Sequence, residues 1–420
     1  MKNLMIKIDS KKKGFFKKLE VILNRRRKLD TTNSKIVSKI ISDVKKNKTK
    51  ALLKYEIKFS KNNKITLPNK IINNSVKRLS REIKNSIDFA YGRIIKFHIL
   101  QRKNLKNISY KDKFKNKLEY NIVPIQSVGI YVPANLPSSL LMNAIPAKVS
   151  NVKKIILATP KPDPAVMYAA KKLGIKEIYF MGGAQAIASL AYIQNVDKIV
   201  GPGNKFVAEA KRQISGKIVG TESMFAGPSE ICVVADKFTN INQIATSLVS
   251  QAEHDPNSQC ILVTKDKSIL PKVNLAIKKI IKKLPRKKVA TKSLKNHGLV
   301  IIVKNDNEIV NTINSIAPEH LEINVKNFKK YVNKIYNVGS ICNGKFTPMS
   351  LSDYTVGTNH ILPTSGSAKF SSGLSINEFI KKISIVTLSK LGVEKIGNPA
   401  IKLSEYENLY AHTQSIKSRM

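Results

Sequence analysis

The stretch Ser250-Gln251-Ala252-Glu253-His254-Asp255-Pro256 joins residue types that do chemistry to a spacing that lets them act together. It follows an apolar-periodic run (Ile241, Ile244, Ala245, Leu248, Val249) that reads as a helix, and Pro256 helps to end it. Residues three apart lie on one helix face, so Gln251 and His254 can point at one atom. An imidazole nitrogen beside an oxygen donor is half of a metal site whose other ligands must come from elsewhere. A polar helix end with a solvated imidazole fits the same seven residues; the histidine inventory weighs against it. The chain has 6 His. Three others sit in polar stretches of low charge: His320 in 317–322 (APEHLE), His360 in 353–360 (DYTVGTNH) and His412 in 409–412 (LYAH). A residue used so sparingly and placed so selectively points to chemistry.

The elements that position these residues follow from the chain around them. With 420 residues and 42% hydrophobic content, it can bury a sizeable core and divide into two or more domains. Net charge is +46, a balance that ordinarily suggests nucleic acid or an anionic membrane. The lysines, however, are spread over helices and loops among Ile and Asn, with no Arg-rich tail and no aromatic-interleaved basic stripe. That distribution describes a solvated surface and speaks against both partners. Where lysine is missing is more informative. Residues 238–264 contain no Lys or Arg, and 128–147, 177–197, 218–236 and 346–368 are likewise free of both. These segments are rich in Pro, Ser, Asn, Gln and His, so burial alone does not explain them, and they outline an enclosed site. The 3 Cys (Cys232, Cys260, Cys342) lie in strand-like Val/Ile runs without ligand spacing, as small core residues of a reducing compartment do. No apolar run reaches the roughly 18 residues of a membrane helix, and the N-terminus lacks a signal-peptide core. A cytoplasmic protein is expected.

Residues 1–26 read as a short helical arm. Thr32 or Asn33 can cap a helix whose face carries Ile36, Val37, Ile40, Ile41 and Val44, and helical patterns follow over 51–59 and about 71–100. From Tyr120 the texture alternates: strands at 122–132, 155–158, 177–181, 198–200, 231–235, 260–263 and 299–303, with helices between them. Repeated βα units predict parallel sheets with helices on both faces. After about residue 376 the segments are mostly helical. Two glycine turns, 182–185 (GGAQ) and 201–204 (GPGN), each join a strand to a helix. Ordinary turn chemistry and a pyrophosphate site at the helix N-termini both fit them.

Taken together, these residues resemble the histidinol dehydrogenases, zinc- and NAD-dependent enzymes of the last histidine-making steps. The resemblance runs through 127–133 (SVGIYVP), 138–148 (SSLLMNAIPAK), 182–188 (GGAQAIA), 196–212 (VDKIVGPGNKFVAEAKR), 226–231 (AGPSEI), 250–258 (SQAEHDPNS), 317–322 (APEHLE), 352–362 (SDYTVGTNHIL) and 407–412 (ENLYAH). Two stretches depart from the family pattern. Ala134-Asn135-Leu136 stands where a Gly-Gly pair and a longer loop are usual, and Thr221-Glu222-Ser223-Met224-Phe225 where Ile-Asp-Met is usual.

The resemblance implies an α/β fold of two Rossmann-like parallel-sheet domains with helices on both faces, a short N-terminal arm and a helical C-terminal tail. Residues 27–126 with 230–375 would form a discontinuous domain carrying zinc and the catalytic residues. Residues 127–229 would be an inserted NAD-binding domain, and 376–420 a tail exchanged in a homodimer. It further implies Gln251, His254, Asp353 and His412 as zinc ligands, and Glu319 and His320 as the acid–base pair. Ser229, His320, His360 and Glu407 would contact the substrate L-histidinol beside the zinc ligands, and Tyr131, Gln185 and Asn204 would contact NAD. The implied reaction removes two hydrides, with a bound aldehyde hydrated between them. A related dehydrogenase of another small alcohol is the alternative, and Glu407 and His360 beside the metal favour an imidazole-bearing amino alcohol.

Overall fold

The structure, a computed structural model, describes residues 4–27, 32–223 and 227–420; Met224 and Phe225 of the divergent stretch lie outside them. The strands expected from the βα alternation form two parallel sheets. The larger has six strands in the order Ile6–Asp9, Gly298–Ile302, Gln259–Thr264, Glu230–Ala235, His320–Asn324, Ser340–Asn343. The smaller has five: Glu177–Phe180, Lys154–Thr159, Ser127–Tyr131, Lys198–Val200 and Gly220–Thr221. Their central strands are buried along their whole length, as strands covered on both faces must be.

Alternation along each strand feeds two separate cores. In the large sheet, Ile231, Val233, Cys260 and Leu262 pack under helices Ile241–Ala252, Leu270–Lys283 and Lys287–His297. Cys232, Val234, Ile261 and Leu321 face the other way, towards Ile309 and Ile313 of helix Asp306–Ile316. All three cysteines are buried and free. In the small sheet, Val128, Ile130 and Leu157 meet helix Pro137–Val149, while Ile156, Ala158 and Ile199 meet helices Gly183–Tyr192 and Lys205–Ile214.

The expected division of the first 126 residues is corrected at two points. Of residues 1–26, expected as a helical arm, the described part belongs to the large sheet: Ile6–Asp9 pairs with Gly298–Ile302, and helix Phe15–Arg27 buries Phe15, Leu19 and Leu23 on it. The long helices expected to join that sheet's domain pack instead on the small sheet. Val37, Val44, Leu52 and Tyr55 of helix Ser34–Ser60 cover one face, and Ile87, Ala90 and Ile94 of helix Arg81–Lys103 cover the other. Apolar periodicity tells a helix that it must bury a face but not which sheet receives it. Helix Ser34–Ser60 also breaks at Lys48 (φ 47°, ψ −130°), and the run read as one helix over 71–100 is two, restarted by Ser80, whose side chain accepts from Ile83 N–H.

A third, antiparallel sheet orders Ile380–Thr387, Lys117–Pro124 and Ile108–Lys111. Its last strand delivers the tail, which is helical from Lys390 onwards: Lys390–Tyr406, a turn through Asn408 (φ 59°), then Tyr410–Lys417. The two tail helices lock together where the Ser404 and Thr413 hydroxyls meet at 2.6 Å. No helix among the described residues is long and apolar enough to cross a membrane.

One polar knot ties the amino-terminal helices to the small sheet. Arg212 donates two bonds of 2.7 Å to the buried Glu209 carboxylate, and Gln213 bridges Glu209 to Ser34 at the start of its helix. The Arg212 bonds hold the Glu209 carboxyl down at about 2, against an ordinary 4.5. A carboxyl depressed in the folded state stabilises fully above its ordinary value and loses that contribution as pH falls through the folded one. Glu209→Gln should therefore cost about 1–2 kcal/mol at pH 7, Arg212 being half exposed. In urea melts the gap between the two proteins should narrow from pH 5 towards pH 2.

Candidate active site

Of the histidines and carboxyls singled out in the sequence, those outside the tail collect at the amino ends of the large sheet's strands. Glu319 precedes strand His320–Asn324, Ser229 precedes strand Glu230–Ala235, and Gln251 and His254 lie where helix Ile241–Ala252 gives way to strand Gln259–Thr264. Strand register locks this end together. Ser229 C=O accepts from Gln259 N–H at 2.9 Å, and Glu230 N–H donates to Glu319 Oε2 at 2.8 Å. The Glu230 carboxylate accepts from Gln259 Nε2 at 2.8 Å and from Ser365 N–H at 3.0 Å.

A polar ladder runs from here along the helix–strand contact. Gln243, Ser247 and Gln251 recur every four residues on one helix face, and Asn324, Glu322 and His320 every two on one strand face. Asn324 Nδ2 donates to Gln243 Oε1 at 3.2 Å, and Ser247 hydrogen-bonds Glu322, whose Oε1 also accepts from Met349 N–H at 2.6 Å. Gln251 and His320 occupy the phase of the next rung, and both are buried.

Burial dominates the electrostatics. It raises the Glu319 carboxyl well above its ordinary value, and the Glu230 and Asp353 carboxylates push the same way. It lowers His320 to about 3, with His360 and His254 adding to the effect. His320 Nε2 stands 3.7 Å from Glu319 Oε1, and His320 Nδ1 is buried without a partner. The pair is thus a carboxyl of raised proton affinity beside an imidazole that burial holds towards its neutral form.

Asp353 and His360 come from a loop after the short helix Met349–Ser352. His360 Nδ1 lies 2.7 Å from the Asp353 carbonyl, which can only accept, so Nδ1 carries the proton and Nε2 keeps its lone pair. His360 is lowered to about 4, chiefly by its crowded surroundings. The small-sheet layer clasps this loop: Arg93 donates to the carbonyls of Thr355 and Val356, and Asn359 Nδ2 donates to Met142 C=O at 2.6 Å. Asp353, partly open to solvent but closely surrounded, is lifted by burial to about 7, and among the described residues no cation of the chain pairs with it. A metal ion is the kind of partner such a carboxyl lacks. His254 is exposed at the same end, and its field reaches both His320 and His360.

Glu407 and His412 are not part of this gathering. Both are exposed on the tail, and among the described residues no three His, Cys, Asp or Glu side chains stand together as a metal site.

The residues expected to contact cofactor sit at the carboxyl ends of the small sheet's strands. Tyr131 ends strand Ser127–Tyr131, Gln185 lies in the first turn of helix Gly183–Tyr192, and Asn204 caps helix Lys205–Ile214. Tyr131 and Gln185 come together: Gly183 N–H donates to Tyr131 OH at 3.4 Å, and Gln185 Nε2 donates to Glu56 Oε1 at 2.8 Å. At both glycine turns some of the N–H groups expected to face a pyrophosphate are already engaged within the protein. Gly182 N–H is taken by Glu56 and Gly183 N–H by Tyr131, while the Asn204 side chain accepts from Phe206 and Val207 N–H. The divergent Glu222 forms a buried ion pair with Lys211, which also donates to Gly201 C=O at 2.8 Å and so braces the second turn.

Glu56 and Glu230 escaped the reading of the sequence. Glu230 lies inside a quoted motif, but it acts through its backbone N–H to Glu319 as well as through its carboxylate to Gln259 and Ser365, and its place at the start of a strand gave no sign of either. Glu56 left a signal: it falls on the apolar face of its helix with Ala51, Leu52 and Tyr55, where an unpaired charge does not belong.

A family model described as histidinol dehydrogenase matches residues 23–420. The chain is 54% identical to a histidinol dehydrogenase of Pelagibacter ubique and 42% identical to histidinol dehydrogenase 1 of a Nostoc species, each over 99% of both chains. Its fold is similar to the crystal structure of histidinol dehydrogenase from Elizabethkingia anophelis, with TM-score 0.91 and 34% identity over 100% of this chain and 98% of that one.

The turn beside Tyr131 has no room for a side chain. A Cβ on Gly201, where φ is +116°, would lie 2.0 Å from the Tyr131 carbonyl oxygen. Gly201→Ala should destabilise the protein by more than about 3 kcal/mol, or prevent folding. Thermal unfolding or soluble yield of the variant reads this directly.

Proposed function

The chain belongs to the histidinol dehydrogenase family, and from that premise we infer that it oxidises L-histidinol to L-histidine through a bound aldehyde, with two NAD as hydride acceptors. The observation that supports this chemistry best is the buried pair of Glu319 and neutral His320, gathered with Gln251, His254, Asp353 and His360 at one end of the large sheet.

Each hydride leaves a carbon whose oxygen must lose a proton. His320, held unprotonated at neutral pH by burial, is free to take it. Hydrating the aldehyde needs a water deprotonated between the two oxidations. Glu319 adjoins His320, and a carboxyl whose proton affinity burial has raised is a better base once ionised than an ordinary one. His360, with Nδ1 committed to the Asp353 carbonyl, offers Nε2 to the substrate, and Ser229 sits at the adjoining strand start. Gln251, His254 and Asp353 would hold zinc with His412, the uncompensated Asp353 carboxyl fitting them for a cation. When bound, zinc would anchor the substrate's amino and imidazole nitrogens and lend secondary Lewis-acid help. NAD, at Tyr131, Gln185 and Asn204, would accept the hydrides.

His412 and Glu407 are the residues this reading needs and one chain does not bring to the site. The antiparallel sheet and tail that carry them leave Ile108, Tyr110, Tyr120, Val386, Leu403 and Tyr410 exposed, a large apolar surface for a lone chain. A second copy of the chain would cover that surface and receive the tail, giving a symmetric homodimer with each site completed by its partner.

Counting NADH against histidinol consumed tests the reaction: two per substrate are expected, and one would overturn the four-electron reading. Glu319→Gln should slow aldehyde oxidation more than alcohol oxidation, whereas His320→Asn should slow both by about 10²–10⁴-fold. Equal losses for Glu319→Gln would contradict the division of labour.

Mixing two inactive proteins tests the exchanged tail. Glu319→Gln and His412→Asn subunits, reshuffled into mixed dimers, should regain activity, because half of the mixed sites then carry neither lesion. Mixed dimers confirmed by mass spectrometry that stay inactive would place the tail in its own site.

A further inference from the structure

We propose that Glu56 is a positioning residue for the cofactor: by fixing the Gln185 amide it makes this pocket present a carbonyl oxygen, and so select a neutral hydrogen-bond donor of the dinucleotide. The inference rests on the reading of Tyr131 and Gln185 as NAD contacts. Glu56 reaches the turn from helix Ser34–Ser60, outside the sheet that the turn belongs to, and its side chain is fully buried. Its Oε1 accepts both Gly182 N–H and Gln185 Nε2, each at 2.8 Å. Those bonds determine which way the Gln185 amide faces, because a carboxylate oxygen accepts and only the NH2 end can donate to it. Gln185 Oε1 is therefore turned away from Glu56, and among the described residues no donor reaches it.

That oxygen has a defined outlook. It lies over Gly183, 3.0 Å from where a Cβ would stand, and Gly183 takes φ +61°. Gly182, Ala184 and Gln185 are buried, and Gly183 alone in the turn is not. The Tyr131 hydroxyl flanks the same glycine and already accepts its N–H, leaving its own proton to give. A ligand approaching across Gly183 thus meets one acceptor, Gln185 Oε1, and one donor, the Tyr131 hydroxyl. That pair suits a ribose hydroxyl or a primary amide or amine, while the carboxyl group behind the turn is a poor neighbour for phosphate.

The test is NADH affinity, read by nicotinamide fluorescence on metal-free protein, with thermal unfolding alongside. Glu56→Met removes the acceptor and frees the amide to rotate, and should weaken NADH by about tenfold, roughly one charge-assisted hydrogen bond. Glu56→Gln keeps an acceptor in place and should bind near the parent level. Gln185→Met should match Glu56→Met, and the double variant should lose about tenfold again rather than a hundredfold, because Glu56 acts through Gln185. If Glu56→Met fails to fold, Glu56→Asp, one methylene short of both donors, takes its place with the same expected loss.

If Gln185→Met weakens NADH while Glu56→Met does not, or if their losses multiply, the positioning role falls and the cofactor reading stands. If neither Gln185→Met nor Tyr131→Phe changes affinity, the cofactor reading itself fails. Dinucleotide analogues then identify the donor. A hypoxanthine analogue lacks the adenine amino group and an acetylpyridine analogue lacks the carboxamide NH2. The analogue indifferent to Glu56→Met marks its missing group as the partner; sensitivity of both assigns a ribose hydroxyl.

Discussion

A carboxyl group taken out of water has to be held by something, and Glu319 is held by one backbone N–H, that of Glu230. This bond crosses between neighbouring parallel strands at their amino ends, so it exists only if Glu230–Ala235 and His320–Asn324 keep their register, with His320 opposite Ile231. A slip by one residue would turn His320 to the apolar face occupied by Leu321 and point Leu321 at Gln251. The chemistry at this end of the sheet is therefore secured by the packing of Cys232, Val234, Leu321 and Ile323 on the far side. The enclosing bulk that excludes water also favours the neutral form of the imidazoles and raises the proton affinity of the carboxyls.

The βα alternation and the sparse histidines were legible because each rests on local information: hydrophobic period for the first, residue type for the second. Placement was less legible. The general expectation for open α/β sheets puts ligands beyond the carboxyl ends of strands. The small sheet places Tyr131 and the two glycine turns at Gly182 and Gly201, where cofactor is expected, at those ends. The large sheet has a polar cleft of about 230 Å³ at its carboxyl ends, lined by Gln243, Glu322 and Asn324, yet its histidines gather at the amino ends. Nothing in the spacing of Gln251 and His254 distinguishes the two. Nor could periodicity reveal that Ile6–Asp9 would find an edge strand, or that Val37 and Ile94 would choose the small sheet, since both choices are settled by contacts far away in sequence.

The two layers do not merely abut. Arg93, on a helix packed against the small sheet, holds the carbonyls of Thr355 and Val356, and the nearby loop that carries Asp353 and His360 also hangs from Met142 through Asn359. Side chains that gather with the large sheet's strand ends are thus placed partly by the other layer. Any rocking of one layer on the other would move Asp353 and His360 relative to Glu319 and His320, which links the small-sheet layer to that buried pair by hydrogen bonds that can be named.

The ladder of Gln243, Ser247 and Gln251 against Asn324, Glu322 and His320 sets two unequal rulers side by side. Four helical residues advance about 6.0 Å and two strand residues about 6.6 Å, so each rung falls short of the next by about 0.6 Å. Over three rungs the discrepancy stays near an ångström, within reach of side-chain adjustment; a fourth or fifth rung would miss. The device is finite by its own arithmetic. The segment between Gln243 and Gln251 consequently cannot change length, because one inserted residue would swing the later rungs about 100° around the helix. Length variation has to be accommodated outside it, in the turns that follow His254 or precede Asn240.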